Sequence, residues 1–300
     1  MRAWSSADFD VPLPEGHRFP AAKYRMIRAE VVRRGIVRAD DIHTPARATR
    51  EALGRVHTDG YLDAMESGTL PAPDQRRLGF PWTPGLIERS TRTVQATVEA
   101  ATDALRDGAG VNLAGGTHHA FADHGEGFCC FNDVAVAIRE LRSTRHEALR
   151  AVIIDLDVHQ GNGTAALFAD DRGTYTFSMH GAKNFPFKKE RSNRDVELAD
   201  GMGDADYLAL LDRHLGEVLD EARADLAFYL AGSDPYAGDR FGRLRLSKEG
   251  LRRRDRTVLA ACRTRGLPVV LTMSGGYASD LAEIAEIHAN SVEELKVACG

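Results

Sequence analysis

The stretch AVIIDLDVHQGNG, residues 151–163, places reactive side chains at the end of an apolar run. Four aliphatic residues typical of a central β-strand precede Asp155, Asp157 and His159. Residues two apart in a strand point to the same side, so the pattern predicts two carboxylates and an imidazole aimed in one direction. Two like charges in such a position repel each other, and a divalent cation would stabilise them.

A further carboxylate, Asp234 in AGSDPYAGD, completes a candidate metal site with Asp157 and His159. An isolated Asp-x-His is more often structural, and the metal interpretation depends on this third residue. One imidazole and two carboxylates suit Zn²⁺, with ligand distances of about 2.0–2.2 Å and an open position for water or substrate. Asp155 is then predicted to orient a neighbouring imidazole or to bind a monovalent cation.

Two other motifs offer groups for proton transfer and oxyanion stabilisation. In GGTHHA, His118 and His119 follow a predicted strand and two glycines, which would hold both imidazoles at the floor of a pocket. One can accept a proton from metal-bound water while the other helps to place it. In SGGYA, Gly275 and Gly276 would let a flexible loop bring the Tyr277 phenol over the metal as a donor to an oxyanion. Alone, either motif is more often a surface loop or a core tyrosine.

Aromatic residues near these motifs are candidates for a substrate channel. Phe128 follows Gly127 in GEGFCCFND, and Phe185 precedes Pro186 in NFPF. Aromatic residues usually belong to the core, but two of them beside a cleft would enclose an alkyl chain.

The elements that must position these residues alternate between short apolar strands and amphipathic helices. The candidate strands are residues 110–116, 150–158, 173–179, 225–232 and 267–276. The clearest helix spans 205–224, and Ser247 is a good N-cap for another that ends near Gly266. Strands that are apolar on both faces and separated by helices indicate an α/β protein with a mainly parallel sheet covered on both sides. Such sheets bind ligands at the carboxyl ends of their strands, where these motifs lie.

Composition places the chain among globular proteins. Of its 300 residues, 43% are hydrophobic and 28% charged, and the net charge of −5 provides no basic field for direct nucleic-acid binding. The arginine run 252–254 is interpreted as a solvated helix face. No apolar run approaches the roughly 18 residues of a membrane span, and the N-terminus lacks an apolar signal segment. The four cysteines match no zinc or CxxC motif and are interpreted as reduced thiols of a cytoplasmic protein.

Taken in order, GGTHHA, GFCCFND, IDLDVHQGNG, AGSDPYAGDRFG and SGGY resemble the zinc-dependent histone deacetylase family of the arginase/deacetylase superfamily. The resemblance covers essentially the whole chain, and residues 17–27 and 184–207 look most like bacterial members near the class IV deacetylases. It implies one catalytic domain over residues 1–300, with a three-layer α/β/α fold around a mainly parallel sheet of about eight strands. Arginases share this fold but use two manganese ions and extra aspartate ligands, which DLDVHQGNG lacks.

The resemblance also implies the catalytic roles by position. The residues that match the ligands of a single zinc ion are Asp157, His159 and Asp234. His119 matches the proton-transferring histidine, and His118 matches the histidine that pairs with Asp155. Tyr277 matches the tyrosine that polarises the substrate carbonyl.

Other positions match the channel and a second cation site. Phe128 and Phe185 match walls of the acyl-lysine channel, and Asp155 and Ser178 match contributors to a buried K⁺ or Na⁺ site built mostly of backbone carbonyls. Asn162 stands where many class I members have an aspartate partner for the second histidine, so this histidine should lose a charged orienter. Residues 70–90 align poorly with the class I segment that carries a rim aspartate.

These features favour a zinc-dependent amidohydrolase that uses metal-activated water to remove acetyl or longer acyl groups from lysine side chains of a protein or peptide. An alternative is deacetylation of a small amine such as an acetylpolyamine. In the family an acidic gatekeeper after the third zinc ligand can select polyamines, and Phe241 occupies its approximate place, which argues mildly against a cationic substrate. A non-catalytic binding protein of the same fold would be expected to lack a ligand, a histidine or the tyrosine, and none is missing.

Overall fold

The computed structural model describes residues 1–145 and 148–299. Its strands are β1 (Ala3–Trp4), β2 (Ile42–His43), β3 (Ala109–Asn112), β4 (Ala151–Asp155), β5 (Thr174–Gly181), β6 (Arg194–Leu198), β7 (Leu226–Leu230) and β8 (Val269–Thr272). Its α-helices are α1 (Lys23–Arg33), α2 (Arg50–Gly54), α3 (Asp59–Ser67), α4 (Ala72–Leu78), α5 (Pro84–Asp107), α6 (Asp133–Arg145), α7 (Asn162–Leu167), α8 (Asp204–Ala222), α9 (Lys248–Thr264) and α10 (Leu281–Cys299). None of these helices is long and apolar enough to cross a membrane.

All the strands join one sheet in the order β2–β1–β3–β8–β7–β4–β5–β6. Every neighbouring pair in this order is parallel. The predicted α/β fold with a parallel sheet of about eight strands is therefore confirmed. Because parallel strands end at a common edge, the loops that follow β3, β4, β7 and β8 meet there.

Successive residues of the central strands pack into two different hydrophobic clusters, one on each face of the sheet. In β4, Val152 and Ile154 belong to a cluster that includes side chains of α1, α8, α9 and α10. Ala151 and Ile153 belong to the other, which includes side chains of α2, α3, α5 and α6. Burial on both faces explains why these strands are nearly continuous apolar runs in the sequence.

Apolar periodicity and capping residues predict two helices with nearly the observed bounds. The predicted helix at 205–224 is α8. Ser247 is the N-cap of α9, where its Oγ accepts a hydrogen bond from the Gly250 amide at 2.9 Å. Gly266, two residues beyond the end of α9, adopts a positive φ of 63° that glycine tolerates without strain.

The strands differ more from the prediction. β3, β4, β7 and β8 end at Asn112, Asp155, Leu230 and Thr272, before the predicted ends at 116, 158, 232 and 276. The residues beyond these ends leave the hydrogen-bonded ladder and form the loops that carry the candidate site. β1 and β2 have 2 residues each, which is too short for a recognisable pattern of alternating or continuous apolar residues. β6 was missed because it is an edge strand with a partly exposed, mixed sequence.

A buried arginine connects α9 to the loops that follow β4 and β7. Arg254 has no exposed surface, and its Nη1 donates to the carbonyl oxygens of Leu156 at 3.3 Å and Gly232 at 2.7 Å. Its charge is paired with Asp255, which also accepts hydrogen bonds from Tyr229 and Ser291. The interpretation of the arginine run as wholly solvated is therefore wrong for Arg254, because the backbone carbonyls and Asp255 replace its water.

Candidate active site

Asp157, His159 and Asp234 converge beyond the ends of β4 and β7. One possible ligand atom from each lies within 4.8 Å of the others. Asp157 and His159 follow Asp155, the last residue of β4, so strand alternation does not direct them. Their side chains are instead turned together by a local bond in which Asp157 Oδ1 accepts from the His159 amide at 2.9 Å.

Donor groups of the protein hold both carboxylates in place. Asp157 Oδ2 accepts hydrogen bonds from Ser274 Oγ at 2.8 Å and the Gly275 amide at 2.7 Å, and Asp234 Oδ1 accepts one from the Val158 amide at 2.9 Å. Asp234 Oδ2 is buried and accepts no hydrogen bond within the described residues, although His159 Nδ1 lies 3.2 Å from it. A buried carboxylate oxygen without a donor is costly unless a cation binds it, which fits the role of a metal ligand.

Gly275 keeps the space between the two carboxylates open. A Cβ at this position would lie 1.9 Å from Asp234 Oδ2 and 2.6 Å from Asp157 Oδ2. The loop is also anchored, since the Ser233 amide donates to the Gly275 carbonyl at 3.0 Å. The glycine therefore serves close approach rather than the loop movement suggested by the sequence. The space and its imidazole and carboxylate donors fit a zinc ion.

The charges of the cluster also favour a cation at this place. Burial alone would lower the pKa of His159, but its hydrogen bond with Asp157 and the negative charge of Asp234 raise it to about 10. Burial and the negative charge of Asp157 raise the pKa of Asp234 above its usual value. Both shifts mean that the cluster binds protons tightly, and a metal ion would compete with those protons for the same atoms.

His118 and His119 lie side by side, with ring centroids 4.1 Å apart, but they have opposite electrostatic environments. His118 Nδ1 is 2.7 Å from Asp155 Oδ2. Burial would lower the pKa of His118, but the charges of Asp155 and Asp157 raise it to about 9. Burial and the charges of His118 and His159 hold the pKa of His119 well below its usual value. The site thus pairs a charged imidazole with a neutral one.

Asn162 orients His119, and Glu126 in turn orients Asn162. His119 Nδ1 lies 2.7 Å from Asn162 Oδ1, and Asn162 Nδ2 donates to Glu126 Oε2 at 2.8 Å. A carboxylate only accepts hydrogen bonds, so the amide must turn its NH₂ towards Glu126 and its oxygen towards His119. Nδ1 of His119 is then the protonated nitrogen, and Nε2 is left to accept a proton. Glu126 was not predicted from the sequence. Its carboxylate does not contact His119 directly, as an aspartate at position 162 would, but acts one hydrogen bond further away, through Asn162.

Tyr277 lies over the same cluster, with its ring centroid 6.3 Å from that of His159. Burial and the nearby carboxylates hold the pKa of Tyr277 well above its usual value, so its hydroxyl stays protonated and can donate. Asp239 accepts hydrogen bonds from the amides of Tyr277 at 2.6 Å and Phe241 at 2.8 Å, and so fixes both loops. Asp239 is the last residue of the AGSDPYAGD motif, but its role is not predictable from the motif because it depends on contacts with the Tyr277 loop.

An opening to the surface, which we call the entrance, leads to this cluster. The residues predicted for the site that line the entrance are His119, Gly127, Phe128, His159, Phe185, Phe241 and Tyr277. The Phe185 ring lies 5.0 Å from the His119 ring, and the Phe128 ring lies 6.1 Å from the Tyr277 ring. A Cβ at Gly127 would lie 2.6 Å from His119 Cδ2, so glycine allows the Phe128 loop to pack against the imidazole.

The predicted site residues Asp155, Ser178 and Gly276 also lie outside the lining of the entrance. Asp155 and Ser178 are paired in register across β4 and β5. Ser178 Oγ is 2.9 Å from His180 Nδ1. Gly276 follows Gly275 in the anchored loop, where a Cβ would lie 2.1 Å from Ser233 Oγ. Only Asp155 is the last residue of its strand, because β5 continues to Gly181 and β8 ends at Thr272.

Comparisons with known proteins identify the family. The family described as "Histone deacetylase domain" matches residues 17–295. An uncharacterized protein from Picosynechococcus is 42% identical over 281 residues, which cover 94% of this chain and 93% of that protein. Histone deacetylase 2 from Arabidopsis thaliana is 30% identical over 288 residues, which cover 93% of this chain and 73% of that protein. The chain belongs to the histone deacetylase family, a family of deacetylase hydrolases.

Solved structures show the same fold. A histone deacetylase homolog from Aquifex aeolicus has a TM-score of 0.83 and 22% identity, with 99% of this chain and 84% of that chain covered. A homolog complexed with SAHA has a TM-score of 0.82 and 23% identity, with the same coverage.

Asp234→Asn is expected to weaken zinc binding by about 100-fold or more, because a neutral amide replaces one of the two carboxylates of the candidate metal site. Zinc content after equilibration at controlled free zinc measures the change without an activity assay. Asp220→Asn on α8 is the control, since this exposed aspartate pairs with Arg265 at the surface and should leave zinc content at one ion per chain. Unchanged zinc affinity in Asp234→Asn, or two zinc ions in the unaltered protein, would contradict the assignment.

Proposed function

We propose that this chain is a zinc-dependent deacylase, with one catalytic domain over residues 1–300, that removes acetyl or longer acyl groups from lysine side chains. The observation that carries the proposal is the convergence of three ligand residues, a neutral histidine and a protonated tyrosine at the end of an aromatic-lined entrance. A non-catalytic binding protein would not need this combination of proton acceptor and oxyanion donor.

Asp157, His159 and Asp234 would hold the metal. A zinc ion bound there would polarise the acyl carbonyl and lower the pKa of bound water towards about 7. His119 is neutral, and the proton on its Nδ1 faces Asn162, so its Nε2 takes the proton of the attacking water.

The remaining groups stabilise the oxyanion and promote the second proton transfer. The Tyr277 hydroxyl donates to the oxyanion formed from the acyl carbonyl. His118 is charged and held by Asp155, and its positive charge next to His119 favours release of the proton that His119 takes up. The proton taken up by His119 then returns to the departing lysine amine, which leaves as a neutral group.

We also propose a structural K⁺ or Na⁺ ion at Asp155 and Ser178, held mostly by backbone carbonyls. The pairing of Asp155, the last residue of β4, with Ser178 of β5 supports the proposal. Exchange of potassium for a large organic cation is expected to lower the melting temperature and the activity. Values that stay unchanged after denaturation and refolding in the organic salt, which would release a trapped ion, would contradict it.

Tyr277→Phe tests the proposed function. The zinc-loaded protein is expected to hydrolyse acetyl-lysine or longer acyl-lysine peptides, and loss of one oxyanion donor should lower kcat/KM by about 10² or more. Zinc content and unfolding should stay unchanged. Tyr175→Phe is the control, because the Tyr175 hydroxyl donates to Glu221 at the surface. Equal turnover by the wild type and Tyr277→Phe would contradict the proposed role, and no turnover of any acylated amine would contradict the function.

The chain from Glu126 through Asn162 to His119 gives a second test. Asn162→Asp should lower kcat by about tenfold or more, because its carboxylate would face that of Glu126 and the two would share a proton or move apart. Adding Glu126→Gln reverses the polarity of the link: a glutamine NH₂ donates to Asp, which still accepts from His119.

The double variant should therefore recover most of the kcat lost by Asn162→Asp, with KM little changed, and ¹⁵N NMR should show His119 protonated at Nδ1. The control adds Glu140→Gln to Asn162→Asp. This change alters a carboxylate that pairs with Arg55 away from the site, and it should not recover kcat. Additive losses in the double variant would exclude an orienting role for Glu126.

A further inference from the structure

The entrance is lined by cations. Its lining includes Arg18, Arg77, Lys183, Arg240 and Arg243, all exposed, and no aspartate or glutamate from the described ranges. The whole chain has 39 lysines and arginines against 44 aspartates and glutamates, and its net charge is −5. The positive charge at the entrance is therefore a local feature that opposes the net charge of the protein.

Two of these cations have no carboxylate partner. Among residues 1–145 and 148–299, no carboxylate forms an ion pair with Arg18 or Arg240, whereas the other three cations pair with acidic residues outside the lining. Those pairs are exposed, at N–O distances of 3.2–3.9 Å, and exposed pairs are weak enough to exchange with other anions.

Arg240 is fixed next to the candidate catalytic tyrosine. Its Nε donates to the Tyr277 carbonyl at 2.8 Å, and its Nη2 donates to the Arg18 carbonyl at 3.3 Å. The guanidinium also lies 5.7 Å from the centroid of the Phe241 ring. A guanidinium held in this way loses little freedom when its remaining N–H groups bind a carboxylate.

We propose that the entrance selects acyl-lysines in an acidic sequence, with aspartate or glutamate next to the acylated residue. The inference rests on the proposed deacylase function. When the acyl-lysine side chain occupies the aromatic-lined entrance, the peptide backbone stays at its outer rim. Carboxylates that flank the acylated lysine then meet Arg18 and Arg240. A lysine-rich tail or an acetylpolyamine would bring cations to the same five positive side chains and be repelled.

Three acetyl-lysine peptides of equal length, flanked by acidic, neutral or basic residues, test the proposal together with acetylspermidine. We expect kcat/KM at low ionic strength to be about tenfold higher for the acidic peptide than for the basic one, mainly through KM, and acetylspermidine to be poorer than the neutral peptide. The preference should shrink in about 1 M salt, where the screening length is about 3 Å. Equal or reversed preference overturns the proposal but leaves deacylation intact, whereas no turnover of any substrate counts against the function.

Charge reversal at Arg18 localises the effect. Arg18→Glu is expected to reduce the acidic-to-basic preference to about unity, and the ratio is insensitive to any loss of folded protein because both peptides meet the same preparation. Arg253→Glu, at an exposed position of α9 outside the entrance lining, makes the same charge change and should keep the wild-type ratio. An unaltered ratio in Arg18→Glu, or an equal change in both variants, overturns selection by the entrance.

Discussion

The repulsion between two buried carboxylates, Asp157 and Asp234, is the constraint on which the rest of the site depends. β4 and β7 are parallel neighbours, so their carboxyl ends bring both side chains to one place. Amides of Val158 and Gly275 donate to the two carboxylates, and Arg254 holds the carbonyls of both loops from behind. The sheet order, the loop conformations and the buried arginine together make a place for positive charge.

Much of the fold could be predicted because its physical causes are local in the sequence. Central strands covered on both faces are continuous apolar runs, and helices carry caps and periodic apolar residues. The short strands β1 and β2 have no such pattern, and the burial of Arg254 depends on carbonyls of Leu156 and Gly232, which lie 98 and 22 residues away. The local sequence therefore does not distinguish Arg254 from its solvated neighbours, because only its tertiary contacts bury it.

The residues of the candidate site also fall into those that can be predicted from the sequence and those that cannot. Residues that follow strands in short motifs were found from the sequence, because all carboxyl ends of a parallel sheet meet at one edge. Glu126 was not, since its role exists only through Asn162, 36 residues away. The entrance cations come from separate loops, and the chain's net charge of −5 conceals them. Groups that act directly are recognisable by motif, whereas groups that orient or select are recognisable only in three dimensions.

The close approach at Gly275 has a consequence for how activity can be lost in this fold. A methyl group there would lie 1.9 Å from one carboxylate oxygen and 2.6 Å from another, in the space where the proposed metal ion would bind. The histidines, the tyrosine and the sheet would need no alteration for catalysis to stop. We therefore expect a single substitution of Gly275 to inactivate the protein without changing its fold. A chain that keeps every reactive side chain can still be a pseudoenzyme.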